Sequence, residues 1–84
     1  MYPVFTYYSF DPNMPLHIFD TEKEAFEFIK TGFENEIVAA RENGIPVVFS
    51  QHDANYSWAM IQYEDKDFIE WGIATIHDMR KKMK

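Results

Sequence analysis

Residues 19–44 read FDTEKEAFEFIKTGFENEIVAARENG. This is the longest periodic stretch of the chain, and the remainder must pack against it. Thr21 and Glu24 have the T-x-x-E spacing of a capping box, in which the hydroxyl accepts from the amide three residues on. Asp20, Glu22 and Glu24 place negative charge at the positive end of the helix dipole. Ala25, Phe26, Ile29, Phe33, Ile37 and Ala40 recur in steps of three and four, which makes one apolar stripe. Arg41 stands in the last turn, Asn43-Gly44 supplies a left-handed exit, and Pro46 follows. The spacing predicts one helix over 20–43. Gly32 is its weak point, costing about 1 kcal/mol against Ala, and a kink is expected there if anywhere. Phe28 and Val38 fall off the stripe; they widen the buried face or stand in solvent.

Before the helix, Tyr2–Phe10 (YPVFTYYSF) is aromatic and β-branched with no helical stripe, and reads as a strand. Asp11-Pro12-Asn13 is a turn by composition, and Leu16–Phe19 is a short return strand, so 2–19 is a hairpin. After the helix, Ile45–His52 is a strand, Asp53-Ala54-Asn55 a turn and Tyr56–Tyr63 a further strand, giving a second hairpin over 45–63. Glu64-Asp65-Lys66-Asp67 then reads as the acidic start of a second helix over 65–82. Its stripe is Phe68, Ile69, Gly72, Ile73, Ile76, Met79 and Met83, with Trp71 off it. The two halves share a D-x-N turn 42 residues apart, but their helices align only at an offset of 40, so a common ββα pattern explains the likeness better than duplication. The expected fold is a single α+β domain in ββαββα order: a four-stranded, mainly antiparallel sheet with both helices on one face.

The 84 residues contain no Cys, which excludes disulfides, thiolate metal sites and a thiol nucleophile. No basic leader followed by an apolar run is visible, and no apolar stretch approaches the about 20 residues that span a membrane. The expectation is a soluble, cytoplasmic protein. Residues 1–79 hold 14 acidic and four basic side chains, a balance of −10, and Arg80, Lys81, Lys82 and Lys84 bring the chain to −6. Such a body repels phosphate backbones, so nucleic acid is a poor partner. Eight Phe, five Tyr and two Trp are many for so small a core, and some of them should meet a partner. In the strand 56–63, Tyr56, Trp58 and Met60 alternate with Ser57, Ala59 and Ile61. Whichever sheet face the helices leave uncovered keeps aromatics, which suits a homodimer or a foreign partner.

Catalytic signatures are lacking. His17, His52 and His77 are scattered, with no H-x-x-x-H or H-E-x-x-H. Ser50 and His52 share a strand face, yet no G-x-S-x-G elbow accompanies them. No glycine-rich phosphate loop exists, and no cofactor is implied. The leading expectation is therefore a non-enzymatic acidic module, an inhibitor or adaptor of the phage or mobile-element kind. It would dock on the basic, nucleic-acid-binding surface of a partner protein, with carboxylates standing in for phosphates. Its anchors would be Tyr56, Trp58 and Trp71, and its acidic rim Glu34, Glu36, Asp53, Glu64, Asp65, Asp67 and Glu70. The competing expectation is a homodimeric ligand-binding protein or small enzyme, with Tyr7, His17, His52 and Trp58 lining a pocket between sheet and helices.

Overall fold

The computed structural model describes residues 1–74. The order is β1 (Tyr2–Tyr8), β2 (Leu16–Phe19), α1 (Glu22–Glu42), β3 (Val47–His52), β4 (Trp58–Tyr63) and β5 (Phe68–Ile73). One five-stranded sheet runs in the order β2-β1-β5-β4-β3. Every neighbouring pair is antiparallel. The expected four-stranded sheet with two helices is thus corrected to five strands and, among the described residues, one helix. The α+β class stands.

The correction lies in Phe68–Ile73, expected as the start of the second helix and found as the central strand. Its side chains alternate. Ile69 and Trp71 are 2% and 4% exposed on the α1 side, while Phe68 and Glu70 point the other way. A short apolar run fits both periods, and here two long-range ladders, to β1 and β4, outweigh the local stripe. The acidic 64–67 segment is accordingly a hairpin turn and not a helix cap. The Tyr63 amide donates to Asp67 O at 2.8 Å and the Lys66 amide to Tyr63 O at 3.0 Å. Lys66 takes the left-handed conformation at φ 76, the place a three-residue hairpin loop ordinarily gives to Gly. The later part of the expected helix, 75–82, lies outside the described residues.

The central helix forms as its caps require. Thr21 Oγ1 accepts from the Glu24 amide at 3.2 Å and donates to Glu24 Oε1 at 2.9 Å. At the other end the Asn43 amide and side chain both donate to Ala39 O, and Gly44 exits at φ 68. Ile45 N then reaches back to Ala40 O at 2.8 Å, closing the helix end. The helix runs through Gly32 unbroken. Gly32 has a packing reason: a Cβ there would lie 3.0 Å from Trp71 Nε1. Ala25, Ile29, Phe33 and Ala40 are the buried stripe, and the first three of them cluster with Val4, Ala59, Ile61, Ile69 and Trp71 of the sheet. Phe28 widens this face by packing on Phe19, ring centroids 5.2 Å apart, whereas Val38 is 48% exposed.

Candidate functional site

The three expected anchors lie in three different places. Trp71 is core, with its indole against Gly32 and edge-on to Phe33 at 6.3 Å, so it is not accessible to a partner. Trp58 sits on the face away from α1, where its Nε1 donates to Glu70 Oε2 at 2.6 Å. Tyr56 precedes β4 and adopts φ 61, a rare conformation for a bulky residue. That turn swings its ring to the α1 side, stacked on His52 at 4.1 Å and 11° and edge-on to Phe33 at 6.1 Å. Strand alternation would have put Tyr56 beside Trp58; the left-handed residue separates them.

Asp53 builds the turn that holds Tyr56. Its Oδ1 accepts from the Ser57 and Trp58 amides at 2.8 and 3.2 Å, and its Oδ2 accepts from Ser57 Oγ. Burial would raise its pKa, but the hydrogen bonds from the Ser57 side chain and the Trp58 and Ser57 amides together outweigh it, and the carboxyl is held below 3.8. Asp53 is therefore committed to the turn. His52 Nδ1 donates to Asp53 O at 2.8 Å, leaving Nε2 to accept from Tyr56 Oη at 3.3 Å. Ser50 and His52 share a face, as expected, but the histidine nitrogens serve the turn. Tyr7, His17, His52 and Trp58 do not form one pocket. His17 packs against Phe28 and His52 against Phe33 on the α1 side, while Tyr7 and Trp58 belong to rows on the other face. His77 lies outside the described residues. Among the described residues no group of three or more His, Asp or Glu side chains is placed to hold a metal ion.

Four of the expected acidic-rim residues do converge. Glu36, Asp65 and Asp67 line a hollow of about 290 Å³ together with Tyr8, Phe10, Ile45, Tyr63 and Ile69. A second hollow of about 270 Å³ adjoins it through Ile45, Tyr63 and Asp65, and adds Pro46 and Glu64. The site lies where the C-terminal half of α1, the end of β1 and the β4–β5 turn meet. Ser9, which the sequence did not single out, ties them. Its Oγ donates to Asp67 Oδ1 at 3.0 Å and accepts from the Phe68 amide at 2.9 Å. Asp65 Oδ1 takes the Asp67 amide at 3.0 Å. The floor is aromatic: Tyr8 and Phe10 rings lie 5.4 Å apart, and Phe10 is 59% exposed. Tyr63 Oη donates to Glu36 Oε2 at 3.2 Å. Burial, the Glu36 charge and that hydrogen bond, then the Asp65 charge, push the Tyr63 phenol up to about 12.

Glu34 lies apart, on a groove of about 600 Å³ between α1 and β3, with Phe33, Ile37, Val38, Ser50, His52 and Tyr56. Glu70 belongs with Trp58. No helix among the described residues is long and apolar enough to cross a membrane. Comparison with known proteins gave no match to a family model, to a curated protein or to a solved structure.

Proposed function

We propose that this protein is a non-enzymatic protein-binding module that docks on a basic surface of a partner protein through the acidic, aromatic hollow. The observation that carries the reading is the gathering of Glu36, Glu64, Asp65 and Asp67 around Tyr8, Phe10 and Tyr63. A Lys or Arg side chain laid on those rings keeps its stem on apolar surface and its charge among carboxylates. Ion pairs formed there are charge-assisted, and guanidinium fits such oxygens two at a time. The wider field supports encounter: residues 1–74 hold 13 acidic and four basic side chains. An acidic body of that kind speeds association with a cationic partner and makes it salt-dependent. A partner surface made for phosphates has the matching chemistry, so the module would act as an inhibitor or adaptor by occupying it.

The test compares the wild type with a Glu36→Gln/Glu64→Gln/Asp65→Asn variant as bait in lysate of its own source cells. Amides keep the shape and the Tyr63 hydrogen bond while removing three charges. A basic protein retained by the wild type at low salt and lost by the variant supports the reading. Equal retention by both sinks it.

A further inference from the structure

We infer that the exposed edge of β3 is a strand-addition site for an extended segment of the same basic partner, an inference that rests on the reading above. Among the described residues β3 ends the sheet on its side. Soluble proteins commonly blunt such an edge with charge, with brevity or with proline. Residues 47–52 (VVFSQH) carry no Asp, Glu, Lys or Arg, and the strand is six residues long. Val48 is 60% and Phe49 37% exposed. Its guards sit at one end only: Pro46 and the irregular register between Val47 and Phe49.

The ladder phase says which groups are offered. The Asp53 amide donates to Trp58 O at 3.2 Å, so alternation bonds Gln51 and Phe49 to β4 and turns the backbone groups of Ser50 and His52 outward. The side chains of the same two residues line the groove against Phe33, Ile37 and Val38 of α1. An edge strand beside a helix is the arrangement that takes an extended peptide: main-chain bonds supply affinity and alternate side chains enter the groove.

Charge and continuity select the occupant. Glu34 stands on the groove, and at the other end of β3 Pro46 joins Glu64 and Asp65 in the acidic hollow. Six strand residues span about 20 Å, so one segment reaches both. Its apolar side chain fills the groove beside His52, and a Lys or Arg a few residues away lies among the carboxylates. Groove and hollow both lie on the α1 side, so the partner segment carries its apolar and its cationic residue an even number of positions apart, on one face.

The test titrates the full chain with acetyl-(Lys-Ser-Val-Ser)2-amide, whose Lys and Val share one face, and with charge-matched acetyl-(Lys-Ser-Gly-Ser)2-amide. The expected preference is about tenfold for the valine peptide, the worth of partly burying a valine side chain that glycine lacks on a strand held by the main-chain bonds. Ser50→Pro removes an outward amide and erases the preference. N-methylation of the valines erases it on the unmodified protein, which covers the case of a variant that does not fold. Equal binding of the two peptides, or a preference that survives Ser50→Pro and N-methylation, overturns the inference. A doubled mass in light scattering that Ser50→Pro halves gives the edge to a second copy and overturns it as well. The hollow is read separately: binding of the glycine peptide indifferent to Glu36→Gln/Glu64→Gln/Asp65→Asn sinks the docking reading, whatever the valine preference.

Discussion

Gly32→Ala sets helix propensity against packing, and the structure decides the sign. In an isolated helix Ala is favoured over Gly by about 1 kcal/mol. Here the new Cβ would stand 3.0 Å from Trp71 Nε1 and 3.3 Å from Cε2. Carbon contacts are comfortable at about 3.5–4.0 Å, so the indole must retreat by several tenths of an ångström. It has little room to do so. Trp71 is 4% exposed, and the Phe33 ring stands edge-on at 6.3 Å and 76°. Overpacking of this kind costs about 1–3 kcal/mol. The expected outcome is a net loss of about 1 kcal/mol, from about 2 lost in packing and about 1 gained in propensity. Urea unfolding followed by tryptophan fluorescence and circular dichroism would show a lower midpoint at unchanged slope. In a Trp71→Phe background the smaller ring makes room, and the same Gly32→Ala change stabilises by about 1 kcal/mol. A gain of stability in the wild-type background would refute the claim that Trp71 packs against the helix at Gly32.

Three further outcomes follow from the turns and the hollow. Lys66→Gly relieves the left-handed residue of the β4–β5 turn and should raise the melting temperature, with a gain of about 0.5–1 kcal/mol. An unchanged or lower melting temperature would mean that the strain is not there. Tyr63 should ionise near pH 12 in an ultraviolet titration. Because its folded pKa of about 12 lies above 10.0, the stability it contributes is complete below pH 10 and is lost as pH rises toward 12; Glu36→Gln should bring the titration down. Asp53→Ala leaves the Ser57 and Trp58 amides without their acceptor and should cost about 1–3 kcal/mol in denaturant unfolding. The Asp53 pKa is lowered, so its contribution is present above 3.8 and disappears as pH falls through the folded value; the variant should lose that acid-side component.

The helix and the first two hairpins were legible because their signals are local. Thr21 and Glu24 announce the start of α1, Asn43-Gly44 its end, and Asp11-Pro12 and Asp53-Ala54-Asn55 the two turns. β5 was not legible. Phe68, Ile69, Gly72 and Ile73 satisfy a helical stripe as well as a strand, and only ladders to residues 4–8 and 58–62 settle the matter. The misfit was visible all the same. Trp71 has no place on the helical stripe, yet it falls into line with Ile69 and Ile73 at period two. The candidate site shows the same division. Acidic and aromatic residues were legible as types. Their grouping depends on Glu64–Asp67 being a turn held by Ser9, a contact across 58 residues. The left-handed Tyr56 likewise reverses which face its ring occupies, and a period-two reading has no access to that.

The claim that the hollow is a cation-docking site is tested most directly by titrating hexalysine into the wild type and into the Glu36→Gln/Glu64→Gln/Asp65→Asn variant across a range of salt. Three exposed ion pairs at about 0.5 kcal/mol each amount to about tenfold in affinity. The account predicts that the variant binds about tenfold more weakly at low salt, with a shallower salt dependence and unchanged stability. Identical affinities and identical salt slopes for the two proteins would contradict it.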